Sequence, residues 1–265
     1  MSKKSILIVG NEGFLGRNLY EYFTKTDEYN VLGLSKKNDL YNFSREKYDY
    51  VIFAAGNSKT YMIKKDPVYC VHRDYIDLLR VLNTIETNKF IMFSSTLVYN
   101  TETNPKKEDS YIDSLELSLY GFHKLAMEKY VRELAERWLI LRPAGFLGNY
   151  LKKNLLFDLR NNKTTIYYNE KSIFDYIHTD DFCQVLDYIK DYDNEIFNVG
   201  SGVQFSVNDI LSLKLDKKQY RFASGHLVDD SKFSVKKIQN TTGLRFSRTQ
   251  IDKQIGEFIN GGNKS

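Results

Sequence analysis

Most of the features that would mark a specialised class are missing from this chain. It has two cysteines in 265 residues, Cys70 and Cys183. They stand in unrelated contexts without metal-ligand spacing, which leaves no disulfide framework and no thiolate cluster. Both fall in apolar-periodic helical segments and read as semi-buried thiols. No apolar run approaches the ~18 residues of a membrane helix, and no secretory leader pattern is seen, so a cytoplasmic, reduced protein is expected. Charge is equally undistinguished. Lys and Arg number 38 against 34 acids, a net +4 spread as scattered pairs, which points to no nucleic-acid or membrane partner. There is no repeat and no low-complexity segment. What remains is 42% hydrophobic and 14% aromatic, the composition of a packed soluble protein. Its length suits one large domain with a smaller lobe.

The most informative stretch is the first. Ile6-Leu7-Ile8-Val9 reads as a buried strand that ends at Gly10. The pattern Gly10-x-x-Gly13-x-x-Gly16 then leads into an amphipathic helix with Leu15, Leu19, Tyr22 and Phe23 inward. Such glycines make a tight turn, let backbone approach a pyrophosphate and let helix pack on strand, while the helix N-terminus favours the phosphate charge. The turn residues Gly10, Gly13, Phe14, Leu15 and Gly16 are therefore assigned to a dinucleotide. A second strand, Val31 to Leu34, ends in Ser35-Lys36-Lys37 where an acid would bind the adenosine ribose hydroxyl. A hydroxyl followed by cations suits a 2′-phosphate, so NADP(H) is favoured, with NAD(H) the alternative. Arg17 is a possible second cation, and Asp39 and Leu40 are placed to bracket the adenine. The small residues Ala54, Ala55 and Gly56 close a third strand, Tyr50 to Phe53, and let a cofactor lie against backbone.

A helix over 66–87, a fourth strand at Phe90 to Phe93, a polar excursion over 100–117, a helix over 119–136 and a fifth strand at 138–141 follow. Residues 144–172 are polar loop and helix. The pattern returns to strand at 173–178, helix at 180–188 and strand at 196–200. Strands alternating with helices predict an α/β fold, a Rossmann-type doubly wound parallel sheet with a smaller α/β substrate-binding lobe. Residues 1–145 and 173–200 are assigned to the dinucleotide-binding domain, and 146–172 and 201–265 to the lobe.

Tyr120 and Lys124 lie four apart on one helical face. An ammonium beside a phenol stabilises the phenolate and is expected to bring its pKa down towards neutrality for proton exchange with an alcohol or carbonyl oxygen. Ser95, after the fourth strand, is on the sheet edge where its hydroxyl can hold the reacting oxygen. Three histidines draw no role. His123 is expected at the surface by helical geometry, and His72 and His226 have no evident partner. His178 is expected to fix a strand end. Asp180 and Asp181 read as helix-capping acids rather than metal ligands, Tyr167 and Tyr168 read as core, and no metal site is expected.

These residues, with GNEGFLG (10–16), SSTLVY (94–99), YGFHK (120–124), LRPAGFLG (141–148), FDYIHTDDF (174–182) and FNVGSG (197–202), resemble the extended short-chain dehydrogenase/reductase family. The similarity is to its sugar-nucleotide epimerase, dehydratase and reductase group. It implies catalytic Ser95, Tyr120 and Lys124, with Tyr120 and Lys124 also on the cofactor, and Thr96 facing the substrate. It implies Pro143 beside the nicotinamide, Asn154 on the nucleotide base and Arg221 on the diphosphate. A nucleotide-sugar substrate and a homodimer through a four-helix bundle of 66–87 and 118–136 are further implications. Three departures narrow the reading. Thr96-Leu97 stands where the 4,6-dehydratases carry Asp-Glu, Phe174 replaces the arginine before Asp-Tyr-Ile-His, and the acid after the second strand is missing. The expectation is an NADPH-dependent reductase of a nucleotide-linked 4-keto-6-deoxy sugar. The alternatives are a 4-epimerase and a non-catalytic cofactor-sensing protein.

Overall fold

The computed structural model describes residues 3–38, 40–44, 46–103, 105–216, 218–224 and 232–261. Asp39 and His226 lie outside the described residues. In chain order the elements begin with β1 (Lys4–Val9), α1 (Phe14–Thr24), β2 (Tyr29–Leu34), β3 (Tyr50–Phe53), α2 (Met62–Lys65), α3 (Pro67–Val71), a π turn (His72–Ile76) and α4 (Asp77–Thr84). β4 (Phe90–Phe93), α5 (Leu119–Leu134), β5 (Trp138–Pro143), β6 (Gly145–Leu147), α6 (Leu155–Arg160), β7 (Thr165–Ile166), β8 (Ile173–His178) and α7 (Thr179–Ile189) come next. The chain closes with β9 (Glu195–Val199), β10 (Gln204–Ser206), α8 (Val207–Ser212), β11 (Arg221–Phe222), α9 (Lys236–Thr242) and α10 (Arg248–Asn260).

Six parallel strands form the main sheet in the order β2-β1-β3-β4-β5-β9. Because side chains alternate along a strand, one sheet builds two cores. Ile6, Ile8, Ile52, Ile91 and Leu139 face α1 and α7 with Leu19, Phe23, Phe182 and Leu186. Leu7, Val9, Val51, Met92 and Ile140 face α4 and α5 with Leu78, Val81, Met127 and Val131. Burial on both faces explains why these strands read as unbroken apolar runs. The chain leaves β1 for β2 on one side and returns to β3 on the other, so the carboxyl ends of β1 and β3 flank a topological switch point, the usual ligand crevice of such sheets.

Three expectations are corrected. The strand 173–178 forms, but as β8 in a separate three-stranded sheet with β6 and β10, not in the main sheet. Residues 233–246 do not all belong to the lobe, since Val235 and Ile238, with Phe233, Leu244 and Phe246 against them, join the α1/α7 core. The continuous helix over 66–87 is broken. Asp66 caps a new start, accepting from the Tyr69 N–H at 2.9 Å with Pro67 in the first turn, and the π turn separates α3 from α4. α4 ends at Thr84 because Ile85 is extended.

The lobe has its own core of Leu155, Leu156, Leu159, Phe205, Ile210, Ile251 and Ile255. Phe174 is buried there with its ring 5.1 Å from Tyr168, while Tyr167 is exposed and departs from the core expectation. Both cysteines are buried and free. On α5 and the π turn, Ile76, Leu119, Phe122, Tyr130 and Leu134 are exposed. Among the described residues no helix is long and apolar enough to cross a membrane.

Candidate active site

The glycine turn is tight for steric reasons. Gly10 has φ +88°, and a Cβ there would meet Ala55 Cα at 2.8 Å. On Gly16 a Cβ would stand 2.2 Å from the Gly10 carbonyl oxygen, so α1 can start this close to β1 only with glycine there. Gly13 is the N-cap, and no side chain caps the helix, which leaves first-turn amides of α1 for an anion. Gly16→Ala is expected to weaken cofactor binding by about tenfold or more, the cost of ~1.4 kcal/mol of displaced turn. Fluorescence titration with NADPH measures it, and unchanged affinity would remove the turn from the site.

Beyond β2, Ser35 is fastened to Asn38, its N–H donating to Oδ1 at 2.7 Å and its hydroxyl lying 3.0 Å from the same oxygen. Lys36 reaches over the Tyr69 ring at 5.5 Å. Lys37 Nζ lies 3.3 Å from Glu12 Oε1, so one of the two cations expected for a 2′-phosphate already faces a carboxylate. Arg17 is not in this group. It pairs with Glu21 at 3.2 Å and lies over the Tyr150 ring at 3.9 Å.

Ser95 and Thr96 follow β4 at its carboxyl edge. The Ser95 Oγ accepts from the Leu97 N–H at 3.2 Å, which starts a single 3-10 turn over Thr96–Val98 and leaves the hydroxyl proton free to donate. α5 begins at Leu119 because Ser118 caps it, accepting from the Gly121 N–H at 3.1 Å. A Cβ on Gly121 would stand 2.2 Å from the Leu97 carbonyl oxygen, so this glycine lets α5 press onto the Ser95 loop. That contact brings Tyr120 within hydrogen-bonding reach of Ser95.

Lys124 is 5% exposed, its Nζ 5.8 Å from the Tyr120 ring centre. A Cβ on Gly56 would meet that nitrogen at 3.1 Å, and the nitrogen lies 3.8 Å from Met127 Sδ. A buried ammonium, an uncapped helix start and a backbone cradle at Gly10, Ala54, Ala55 and Gly56 all fit a dinucleotide. Pro143 ends β5 on the same sheet edge. The pKa of Tyr120 departs from expectation. Burial, then the charge of Asp74, push the phenol well above the usual tyrosine range, and only the Ser95 hydrogen bond opposes them. Burial lowers Lys124, with Asp74 and Glu128 resisting.

Asp74 and His123 carried no assignment from the sequence. His123 is not at the surface. It is 8% exposed, with Nδ1 3.0 Å from Asp74 Oδ2, and Asp74 is completely buried. Helical geometry on α5 does turn His123 away from Tyr120, but the π turn fills that side. Lys153 and Lys59 were also missed. Lys153 is exposed on the rim beyond β6, where partial desolvation of its ammonium and the like charges of Lys59 and Lys124 lower its pKa.

Asn154 is used within the protein. It has φ +115°, accepts from the Phe157 N–H at 3.0 Å and donates to the Phe146 carbonyl at 2.8 Å, so its side chain caps α6 in place of the expected base contact. Arg221 is exposed on β11, which pairs with β7 in the lobe. His178 caps α7, accepting from the Asp180 N–H at 3.2 Å, and Asp180 and Asp181 sit in that helix's first turn. Leu40 lies in a 3-10 turn beyond β2.

A GDP-6-deoxy-D-talose 4-dehydrogenase of Aggregatibacter actinomycetemcomitans is 25% identical over 232 residues, 78% of each chain. The UDP-glucuronic acid 4-epimerase of Bacillus cereus, solved with UDP-4-deoxy-4-fluoro-glucuronic acid and NAD, shares the fold with a TM-score of 0.84 at 19% identity, over 97% of this chain and 99% of that one. RMD of Pseudomonas aeruginosa, solved with NADPH, superposes with a TM-score of 0.79 at 17% identity, over 98% and 99%. The profile of the NAD dependent epimerase/dehydratase family matches residues 6–200. With that match spanning most of the chain, the protein is a member of the NAD dependent epimerase/dehydratase family and an NAD(P)-dependent enzyme of the extended short-chain dehydrogenase/reductase type.

Proposed function

We propose that the protein is an NADPH-dependent reductase of a nucleotide-linked 4-keto-6-deoxy sugar, serving deoxysugar or surface-polysaccharide synthesis. The observation that carries this is the arrangement of Ser95, Tyr120 and Lys124 at the carboxyl end of β4, with Tyr120 in hydrogen-bonding reach of Ser95 and Lys124 Nζ 5.8 Å from the Tyr120 ring centre. Reduction of a ketone needs a proton donor at the oxygen, and a phenol beside the reacting carbonyl is such a donor. When bound, the reduced nicotinamide supplies a hydride to the carbonyl carbon. Ser95 donates a hydrogen bond to the carbonyl oxygen and holds it against Tyr120, which passes its proton to that oxygen to give the alcohol. Lys124 would hold the ribose hydroxyls and stabilise the phenolate left behind.

Thr96 and Leu97 offer no acid–base pair for dehydration. The cations Lys59 and Lys153 beside Lys124 suit the anionic end of a nucleotide sugar. The relative named for 4-dehydrogenation of a 6-deoxy sugar supports chemistry at the same carbon. Loss of NADPH absorbance with a panel of nucleotide-linked 4-keto-6-deoxyhexoses is the test. Interconversion of 4-epimers without net cofactor loss would instead establish the 4-epimerase, which the Glu12–Lys37 contact at 3.3 Å favours by weakening the phosphate site.

Lys36 carries the preference for NADPH. Lys36→Glu is expected to lower NADPH affinity by about tenfold or more while NADH binding changes little; equal losses for both cofactors would place Lys36 outside the 2′-phosphate site. Pairing of α4 and α5 with a second copy through the exposed Ile76, Leu119, Phe122, Tyr130 and Leu134 is part of the same reading. Light scattering is expected to give twice the 31.1 kDa chain mass.

A further inference from the structure

The charges at the carboxyl end of β2 come from two stretches of chain, and they are not all of one sign. β1 and β2 run parallel with Val9 against Leu34, and the Gly10 N–H donates to the Leu34 carbonyl at 2.7 Å. The glycine turn and the Ser35-Lys36-Lys37 segment therefore start side by side. Across the gap between them the Glu12 carboxylate, from between Gly10 and Gly13, lies 3.3 Å from Lys37 Nζ, with both side chains exposed. The neighbours of this pair are disposed differently. Lys36 lies over the Tyr69 ring at 5.5 Å, an aromatic face that does not neutralise its charge. Ser35 is neutral and fastened to Asn38. Glu12 thus offsets one of the two lysines that a 2′-phosphate would meet. The steric demands of the turn fall on Gly10 and Gly16, so nothing in its backbone calls for an acid at position 12.

We propose that Glu12 is a selectivity-determining residue for the cofactor, which withholds Lys37 from the 2′-phosphate and so narrows the preference for NADPH over NADH that Lys36 supplies. This rests on the placement of the 2′-phosphate beyond β2. NADPH and NADH differ at that phosphate alone. A phosphate monoester carries a charge of about −1.5 to −2 at neutral pH and is held best by charge-assisted hydrogen bonds. A carboxylate at 3.3 Å from Lys37 opposes it in two ways. Lys37 has to leave Glu12 to meet the phosphate, and Glu12 is then left beside the phosphate with its own charge unmatched. Neither effect falls on the neutral ribose hydroxyl that NADH carries in the same place. The turn therefore discriminates against the phosphate while the segment after β2 selects for it, and the balance of the two sets which cofactor is used.

Equilibrium binding tests this without any sugar substrate. NADPH and NADH are titrated by nicotinamide fluorescence into the wild type and into Glu12→Gln, which keeps the size of the side chain and removes its charge. The expected result is that NADPH binds about fivefold or more tightly in the variant while NADH stays within about twofold. Glu12→Ala is expected to shift the ratio in the same direction. Glu28→Gln removes the same charge from an exposed position before β2, at the strand's opposite end, and is expected to leave the ratio unchanged. An unchanged ratio in Glu12→Gln, an equal gain for both cofactors, or a shift as large in Glu28→Gln overturns the proposal. The outcomes also separate it from the NADPH-dependent reading. A wild type that prefers NADH, with NADPH affinity gained in Glu12→Gln, overturns that reading and upholds the role of Glu12. A wild type that prefers NADPH, with the ratio unchanged in the variant, does the reverse.

Discussion

Tyr120→Phe is expected to lower turnover by about 10²–10⁴-fold, the contribution of a positioned proton donor, while NADPH binding stays within about threefold of the wild type. Phenylalanine keeps the ring that Lys124 faces at 5.8 Å and removes only the hydroxyl that Ser95 reaches. Steady-state rates with a nucleotide-linked 4-keto sugar, set beside fluorescence titration of NADPH, separate the two effects. Retained turnover would mean that the proton comes from elsewhere, and the rim lysine Lys153, whose pKa is lowered, would be examined next. Loss of cofactor affinity together with turnover would instead mean that the phenol hydroxyl anchors the ribose, a role assigned above to Lys124.

Local signals made one half of this site legible and topology hid the other. Gly10, Gly13 and Gly16 are spaced by the covalent reach of a single turn, and Tyr120 and Lys124 by one turn of helix, so the sequence alone brings them together. Ser95 needed only its place after an apolar strand. Asp74 and His123 are 49 residues apart, on two helices whose facing sides depend on a π turn that no periodicity announces. Asp66-Pro67 did mark a helix start, yet the 66–87 pattern read as one helix because the residues before and after it are equally helix-forming. β8 misled for another reason. A six-residue strand with four buried positions looks the same whether it joins the main sheet or a small one, and only its partners β6 and β10 decide. The Tyr120 pKa is raised and not lowered because burial of the phenol, and after it the charge of Asp74, push it up, and neither is visible in the sequence beside the neighbouring lysine.

Glu128 and Arg142 show the same blindness on the stability side, and they carry the largest expected effect on folding. Arg142 is 3% exposed and Glu128 1%. They join β5 to α5 by two parallel bonds, Nε to Oε1 at 2.9 Å and Nη2 to Oε2 at 2.7 Å. Arg142 also donates to Tyr99 Oη at 2.9 Å, and Tyr99 donates to Asn198 Oδ1 on β9 at 2.7 Å. The backbone N–H of Asn198 in turn donates to Glu108 of the polar excursion at 2.9 Å. One network therefore ties the excursion, two strands and the catalytic helix. Arg142→Met is expected to cost about 3–5 kcal/mol in urea unfolding, because the Glu128 charge is left buried without a partner. Most of that cost is desolvation rather than lost attraction. The double variant Arg142→Met with Glu128→Leu is accordingly expected to be more stable than Arg142→Met alone, since two apolar side chains leave no buried charge. If the double variant is instead as unstable as the sum of the two singles, the pair contributes through packing, and its bonds do not set the position of α5. Because Tyr120 and Lys124 ride on the same helix as Glu128, the single variant is also expected to lose turnover at temperatures where it is still folded, and the double variant to regain part of it.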